Sequence, residues 1–414
     1  MTHIKTIMDS PHLQTRRHFI QNTVLLTSSM AMTKLGNVFA QATNADRNVR
    51  IRNMEVHTVA VTNRTNWILV RLTGSNGITG IGEASLGRRA ELGELNQFYR
   101  MVEGESAFAI QQYRRRGWQQ ASAGDRVLAT AFSAIEQALW DLMARSLGVP
   151  FYNLLGGQLH SDLPVYANIN RATTNRGPEG FAENAERAVA DGFRAIKAAP
   201  FDGFPALDSP AEEIQAAREL GIECVYAMRE RVGDDIAIKI DAHSFFDTDL
   251  SIDVAAELEA ANLSWYEEPV APTQTENTKT IHDAISQVLA GGEFLFGTEG
   301  FRPLCEQQAV DIIMPDVKHC GGMWEAVKIS ALAESYDIKV SPHNPSGPVS
   351  TAASVALCAA LPNFDILEYQ WGEQLWRSSL TEPNEAFQNG SIAVSDRPGY
   401  GIALNERILE AHRI

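Results

Sequence analysis

The chain of 414 residues is long enough for more than one domain, or for one large barrel with an attached second domain. Its net charge of −16 argues against binding to nucleic acid or to an anionic membrane surface, because both call for basic patches. It also lacks any run of 18 apolar residues that could span a membrane in the mature protein. Four cysteines without CxxC spacing are predicted to be buried thiols, namely Cys224, Cys305, Cys320 and Cys358.

The first 42 residues have the layout of a twin-arginine (Tat) export signal. The pair Arg16-Arg17 precedes a modestly apolar stretch, 21–39, and small residues for a signal peptidase follow at 40–42. These features predict an exported, periplasmic protein. Otherwise the segment is an N-terminal tail with a chance Arg-Arg pair and the protein is cytoplasmic. Because no cysteine follows the apolar stretch, a lipoprotein anchor is not supported.

Residues 48–160 are predicted to form an α+β capping domain. Alternating apolar and polar residues over 50–83, interrupted by Ser75-Asn76-Gly77, indicate strands joined by a tight turn. Residues 90–158 read as helical, and 130–142 is the strongest amphipathic helix. Gly148-Val149-Pro150 is a helix stop.

Residues 161–370 are predicted to form a β/α barrel, because short apolar segments alternate there with helical ones. The chain after 370 is turn-rich, and we expect it to return to the capping domain. The predicted fold class is therefore α/β, a TIM-like (β/α) barrel with an N-terminal α+β cap. The eight predicted strands are 163–170, 194–200, 236–243, 263–270, 288–296, 310–317, 338–343 and 364–370.

Six of these segments end in a charged or titratable residue. The intervals between those residues are 23 to 27 positions, which suits one strand, one helix and two loops. Since the carboxyl ends of all strands of a barrel meet at one face, the six side chains are expected to lie together. They are Asp241, Glu267, Glu293, Asp316, His343 and Glu368.

The first three of these residues, Asp241, Glu267 and Glu293, are the predicted metal ligands. Oxygen ligands suit a hard divalent cation, and we expect one Mg²⁺ per subunit, whereas Zn²⁺ would favour His and Cys. Singly, each acid could equally be a salt-bridge partner or a helix cap. Glu268 points to the other side by strand alternation and is interpreted as structural.

The remaining titratable residues suit acid/base chemistry next to a carboxylate. Asp316 could hydrogen-bond His343 and raise its basicity, and Glu368, if held protonated, could donate to a developing oxyanion. Lys197 could face the substrate carboxylate. His243, two residues after the first predicted metal ligand, is expected on the same side of the strand and is a candidate general acid. This set suits removal of an α-proton followed by loss of a β-hydroxyl as water.

Three further residues are candidates for binding the substrate itself. Asn168 and Asn170 lie at the end of the first barrel strand, and Arg88 lies in the cap loop 82–89. Each could contact distal hydroxyls. An ordinary solvated or structural role is an equal alternative for all three.

The motifs after residue 50 resemble the enolase superfamily and, within it, the mandelate-racemase-like subgroup. They comprise Glu267-Glu268-Pro269, Gly292-Glu293, Pro315-Asp316 with Gly321-Gly322, His343, and the cap helix 134–141 with Leu154-Leu155-Gly156-Gly157. The resemblance implies that Asp241, Glu267 and Glu293 bind Mg²⁺, that Asp316 and His343 form a dyad, and that Glu368 is the electrophile. Even-numbered homo-oligomers are common in such a family.

The strand-two run Lys197-Ala198-Ala199 lacks the second lysine of racemases. Instead, Asp241-x-His243 and the runs 315–322 and 342–348 resemble galactonate-dehydratase-like sugar-acid dehydratases, in which the strand-three histidine assists departure of the hydroxyl and the strand-seven histidine takes the α-proton. Ala199 departs from the polar residue of galactonate dehydratases, and an export signal is unusual for a catabolic enzyme of this type.

Three functions therefore remain open. The leading one is Mg²⁺-dependent dehydration of a sugar acid, an aldonate such as galactonate, to a 2-keto-3-deoxy acid. The second is a cycloisomerase or epimerase that acts on a sugar acid or anhydro-sugar acid through the same enolate. The third is a non-catalytic periplasmic protein that binds sugar acids. In each case the partner is a small-molecule carboxylate.

Overall fold

Three antiparallel strands begin the part of the chain that the computed structural model describes, which comprises residues 48–86 and 92–414. The strands are β1 (Ile51–Ala60), β2 (Asn66–Gly74) and β3 (Thr79–Glu83), paired in that order. Gly77, with φ 78°, donates its N–H to the carbonyl of Gly74 in the predicted turn. Glycine adopts this left-handed conformation readily, so the tight turn at 75–77 is confirmed. The predicted export signal lies outside the described residues.

Helix α3 (Arg126–Leu147) packs against β3 at the centre of the capping domain. A Cβ atom on Gly80 would lie 2.2 Å from the carbonyl oxygen of Ala138, so only glycine allows this approach. The helix is buried on nearly every side, which the predicted one-sided amphipathic pattern underestimates. It ends at Gly148, whose φ of 69° is left-handed, at the predicted stop. The preceding helices are α1 (Leu92–Tyr99) and α2 (Ile110–Ala123).

Eight parallel strands form the predicted barrel. Neighbours in the chain pair from β4 to β10, and β11 pairs with β4. A bridge between Val340 and Phe364 joins β10 to the segment that leads into β11, which closes the barrel. The strands are β4 (Asp162–Asn168), β5 (Ala195–Ala198), β6 (Ala237–Asp241), β7 (Trp265–Glu267), β8 (Leu289–Gly291), β9 (Ile312–Ile313), β10 (Lys339–Val340) and β11 (Leu367–Gln370).

One helix follows each strand from β4 to β10, as expected for β/α units. Among residues 48–86 and 92–414, no helix has the length and apolar character needed to cross a bilayer. The barrel helices are α4 (Pro178–Ala190), α5 (Ala211–Val232), α6 (Thr248–Glu257), α7 (Thr275–Ala284), α8 (Gly297–Glu306), α9 (Met323–Glu334) and α10 (Pro348–Cys358).

The C-terminal segment contacts both the barrel and the capping domain. Strand β14 pairs antiparallel with the first residues of β4, while the last helix, α11 (Glu406–His412), packs against β1. The remaining short strands are β12 (Thr381–Glu382), β13 (Phe387–Gln388), β14 (Ser391–Ala393) and β15 (Ala403–Leu404).

All four cysteines are free and buried, as the sequence predicts. Burial raises the pKa of each thiol, to about 11 for Cys224 and Cys305. They are packing residues rather than ligands or nucleophiles.

Candidate active site

Three buried carboxylates lie together at the carboxyl ends of adjacent barrel strands. Asp241 is the last residue of β6 and is in register with Glu267, the last residue of β7. Glu293 follows β8 by two residues. One carboxylate oxygen from each lies within 4.8 Å of the others. The predicted ligand set is therefore assembled at one point.

The donor set fits a hard divalent cation. All three side chains offer only carboxylate oxygen, the ligand type that Mg²⁺ prefers. Asp241 Oδ2 and Glu293 Oε2 are buried and make no hydrogen bond of good geometry, although each has a cationic neighbour. Buried carboxylate oxygens without hydrogen bonds are costly unless a cation compensates them, so these residues are suited to hold a metal ion.

Glu268 positions one of these acids through the backbone. Its Oε1 accepts hydrogen bonds from the N–H groups of Gly292 and Glu293, at 2.6 and 3.2 Å. Burial, followed by the negative charges of Glu293 and Asp241, raises the pKa of Glu268 to about 7. Its backbone has φ 38°, so strand alternation does not describe its direction. Its structural role is to hold the turn after β8 through these two hydrogen bonds.

Lys197 lies among the acids rather than apart from them. Its Nζ contacts a carboxylate oxygen of Glu267 and lies 2.9 Å from Asp241 Oδ2 and 3.8 Å from Glu368 Oε1. Burial alone would lower the pKa of this amine, but Asp241, Glu267 and Glu368 outweigh burial and raise it well above its ordinary value. Lys197 is thus a fixed cation, and it also lines the cavity where a substrate carboxylate is expected.

His343 and Asp316 form the predicted pair. His343 Nδ1 lies 2.8 Å from Asp316 Oδ2, and Nε2 lies 3.2 Å from Glu293 Oε2. Burial lowers the pKa of His343, but the negative charges of Glu293, Glu368 and Asp316 raise it above its usual range. Both residues follow their strands by three positions, so the predicted strand ends were too long.

Glu368, on β11, is held by two donors. Asn168 Nδ2 donates to its Oε1 at 2.6 Å, and the backbone N–H of Asn344 donates to its Oε2 at 2.8 Å. Burial would raise the pKa of Glu368, but Lys197 and His343, together with these donors, lower it. The lowered pKa favours the carboxylate form, whereas donation to an oxyanion requires the protonated form. Its predicted role as electrophile would require a further anion or a proton on this group.

His243 lies at the site, but its side chain is not oriented by strand alternation as predicted. Strand β6 ends at Asp241, and His243 has φ 45°, so the alternation of an extended strand does not direct its side chain. Its ring Nδ1 lies 2.5 Å from Asp202 Oδ1, and its Nε2 lies 3.2 Å from Asp241 Oδ2. Burial would lower the pKa of His243, but Asp241, Asp202 and Glu293 raise it to about 9. The side chain still lines the cavity.

The two predicted asparagines line the cavity but have protein partners. Asn168 donates to Glu368, and its Oδ1 accepts from the N–H of Asn170. Asn170 Nδ2 donates to Asp202 Oδ2 at 2.9 Å. Their predicted contact with substrate thus competes with these bonds. Arg88, the third candidate, lies outside the described residues.

A cavity of about 470 Å³ is lined by part of this set, namely Asp241, Glu293, Lys197, the two histidines, Asp202 and the two asparagines. It lies between the barrel face and the capping domain, from which Arg64, Thr65 and Ser85 contribute to the wall. Lys318, also in the wall, donates to the carbonyl of Ser85 at 3.3 Å and lies 3.4 Å from Asp316 Oδ2. Sequence reasoning missed Arg64, Asp202 and Lys318. Of these three residues, only Lys318 has a signal in the sequence, because it lies two residues after the predicted site residue Asp316.

Curated relatives of this chain are sugar-acid dehydratases. It is 34% identical to a D-xylonate dehydratase of Haloferax volcanii, over 87% of this chain and 88% of that protein. It is 36% identical to a D-gluconate dehydratase of Thermoproteus tenax, over 84% and 69% of the two chains. A D-galactonate dehydratase of Variovorax paradoxus is 28% identical over 86% and 94%.

Solved structures and family models agree with the fold. A member of the enolase superfamily from Salmonella Typhimurium superimposes with a TM-score of 0.79 at 28% identity, covering 87% of this chain and 98% of the other. A mandelate racemase/muconate lactonizing enzyme from Jannaschia sp. CCS1 gives 0.78 at 28% identity, with 88% and 98% covered. The model described as "Enolase C-terminal domain-like" matches residues 180–408, and the model of the mandelate racemase / muconate lactonizing enzyme N-terminal domain matches residues 40–156. The chain therefore belongs to the mandelate racemase/muconate lactonizing enzyme family of the enolase superfamily.

Proposed function

We propose that this protein is a Mg²⁺-dependent sugar-acid dehydratase, a carbon–oxygen lyase that converts an aldonate to its 2-keto-3-deoxy acid. The observation that carries the proposal is the placement of two histidines on opposed strands around one acidic triad. His343 follows β10 and His243 follows β6, which are four strands apart in an eight-stranded barrel. An acid and a base can thus approach a substrate from two sides.

The three carboxylates of Asp241, Glu267 and Glu293 would hold the cation. When bound, it supplies positive charge to the substrate carboxylate and stabilises the second negative charge that develops when the neighbouring carbon loses its proton. Lys197, fixed among the same acids, adds a positive charge at this end of the cavity.

His343 is the proposed base. Asp316 accepts from Nδ1, which leaves Nε2 as the nitrogen that takes the α-proton. The anions that raise the pKa of His343 also make it a stronger base in its neutral form.

His243 is the proposed general acid. As the electrons of the broken Cα–H bond move toward Cβ, the Cβ–O bond breaks and the hydroxyl leaves with a proton from Nε2 of His243. Water and an enol result, and the enol tautomerises to the 2-keto-3-deoxy acid. The Asp202 carboxylate, which accepts from Nδ1, favours the protonated imidazole that a general acid needs.

An epimerase or cycloisomerase is the second candidate, because the same two histidines could act as bases on opposite faces of the α-carbon. A dehydratase releases water from its substrate, whereas an epimerase or a cycloisomerase does not. The absence of lysine at position 199 does not support the two-base arrangement of racemases that use a second strand-two lysine.

The test is a panel of aldonic, aldaric and uronic acids, including D-xylonate, D-gluconate and D-galactonate, assayed with Mg²⁺ for 2-keto-3-deoxy products. Formation of such a product that EDTA abolishes supports the proposal. Binding of acids without turnover would instead support the sugar-acid binding protein.

We also propose Tat-dependent export to the periplasm and assembly as an even-numbered homo-oligomer. Replacing Arg16 and Arg17 by lysine should retain the protein in the cytoplasmic fraction, and unchanged export would contradict the first proposal. Light scattering of the purified protein tests the second, and a monomer mass would contradict it.

A further inference from the structure

The contact between Asp202 and His243 forms a second carboxylate–histidine pair at the site. Asp202 lies in the segment between β5 and α5, and its Oδ1 is 2.5 Å from His243 Nδ1. We propose that Asp202 is a positioning residue that holds the ring of His243 with Nε2 toward the leaving hydroxyl. The inference rests on the proposed function, because it concerns the acid of that reaction.

The Asp202 carboxylate is anchored on the side away from the histidine. Its Oδ2 accepts hydrogen bonds from Asn170 Nδ2 at 2.9 Å and from Arg176 Nη2 at 3.2 Å. Arg176 also donates to Asn170 Oδ1 at 2.7 Å and to the carbonyl of Ala199 at 2.5 Å. With Oδ2 fully engaged by donors, Oδ1 is left as the acceptor for the imidazole.

His243 needs such an anchor because its own backbone does not orient the ring. The residue lies beyond the end of β6, and its side chain is 35% exposed in the cavity wall. A ring flip would exchange Nδ1 with Cδ2 and Nε2 with Cε1, and so turn both nitrogens away from their present positions. A carboxylate that accepts from Nδ1 selects one orientation, as the buried aspartate does in catalytic triads.

The segment that carries Asp202 is attached to the segment that carries His243 by aromatic packing. Phe201 and Phe204 contact Phe246 edge to face, with ring centroids 5.1 and 5.0 Å apart. Such pairs favour defined geometry. The distance between Asp202 and His243 is therefore maintained by residues on both sides of the contact.

Asp202→Asn is the principal test variant, because it preserves shape. Asn170 and Arg176 are donors, so they should engage the carbonyl oxygen of the new amide and leave its NH₂ group against His243 Nδ1. Nδ1 then loses its acceptor, while Nε2 keeps its contact with Asp241 Oδ2. Asp208→Asn, an exposed position in the same segment, is the matched control.

Two substrates separate a positioning role from a general structural one. Loss of water needs an acid, whereas fluoride leaves without one. We expect Asp202→Asn to lower kcat for dehydration of the accepted acid by about 10²-fold, with fluoride release from its 3-deoxy-3-fluoro analogue within about threefold of the wild type. Each reaction moves the α-proton to His343 and yields the same enol. KM for the two acids should change little, since Asp202 is not placed on the substrate.

A spectroscopic measurement reports the contact without turnover. A protein labelled with ¹⁵N-histidine should show one downfield ring N–H proton signal that is absent in both His243→Asn and Asp202→Asn and present in Asp208→Asn.

Three results would overturn the inference: equal loss of water and fluoride elimination in Asp202→Asn, unchanged dehydration, or a ring N–H signal that survives the substitution. Failure of the wild-type enzyme to eliminate from any acid in the panel would overturn the proposed function first, and this inference with it.

Discussion

His343 Nδ1 lies 2.8 Å from Asp316 Oδ2, and the opposite ring nitrogen, Nε2, lies 3.2 Å from the predicted metal ligand Glu293. The first contact orients the imidazole, and the second places its free nitrogen at the edge of the acidic triad. The α-carbon of a carboxylate bound at that triad would therefore be within reach of the proposed base.

His343→Asn should lower kcat by about 10³-fold or more, because asparagine cannot accept the α-proton. Exchange of the α-proton with solvent deuterium should be lost to the same extent. Mg²⁺ affinity, measured by titration calorimetry, should stay close to that of the wild type. Near-normal turnover would remove His343 as the base.

Asp316→Asn should shift the ascending limb of the kcat/KM pH profile to lower pH. A base acts in its neutral form, so activity rises as pH passes through the pKa of His343, which its three anionic neighbours raise above its usual value. Removing the charge of Asp316 lowers that pKa. Maximal activity should also fall, since the ring loses its acceptor. An ascending limb at unchanged or higher pH would contradict the effect of Asp316 on the pKa of His343.

His243→Asn should slow loss of water more than it slows exchange of the α-proton, because only the first step needs an acid. We expect about a 10²-fold decrease in dehydration, with the exchange rate within about threefold of the wild type. Deuterium incorporation and product formation can be followed in one NMR experiment. Equal effects on both steps would assign His243 to something other than the leaving group.

Mg²⁺ should raise Tm, since a cation that binds only the folded state stabilises it by mass action. At 100 times its dissociation constant the gain is about 2.7 kcal/mol. Asp241→Asn should abolish most of this shift, whereas Asp249→Asn, an exposed substitution in the first turn of α6, should retain it. A shift that survives Asp241→Asn would place the metal elsewhere.

Lys239→Met should stabilise the protein at pH 7. Lys239 lies two residues before Asp241, buried, with Nζ 4.0 Å from the Trp265 ring centroid and 3.0 Å from Ser264 Oγ. Burial lowers its pKa to about 8, so the charged form is disfavoured in the folded state. The cost at pH 7 is about 3 kcal/mol, and the contacts with Trp265 and Ser264 offset part of it.

The pH dependence of the free energy of unfolding follows from the lowered pKa of Lys239. Stability is highest above the unfolded-state pKa of 10.5 and is lost as pH falls toward 8. Methionine should therefore give a gain of about 1–2 kcal/mol at pH 7 that shrinks by pH 10. Denaturant unfolding at both pH values measures it. Equal destabilisation at both would show that Lys239 is needed for packing.

The periodic part of this fold was predictable because each β/α unit repeats one pattern of burial. The interval of 23 to 27 residues identified six charged or titratable side chains, and the structure brings all six to one face. Strand ends were less accurate. Glu293, Asp316 and His343 lie past their strands, since turns such as Gly292, with φ 105°, carry the chain across the barrel face. Apolar runs do not distinguish a strand from the buried turn after it.

The rest of the site depends on tertiary contacts that have no periodic signal. Asp202 lies in an irregular segment of the β5–α5 connection, and aromatic side chains pack that segment against the one that carries His243. Arg64 enters the cavity from the capping domain, far from the barrel in sequence. The pKa of Glu368 depends on Lys197, which is close to it in the fold but distant in the sequence.

Incubation of the enzyme with Mg²⁺ and D-xylonate, D-gluconate or D-galactonate in D₂O, followed by NMR, tests the central claim most directly. The account predicts a 2-keto-3-deoxy product that carries one deuterium at C3, formed by the wild type and not by His343→Asn. An α-deuterated or epimerised acid that retains all its hydroxyls would contradict dehydration and support the isomerase.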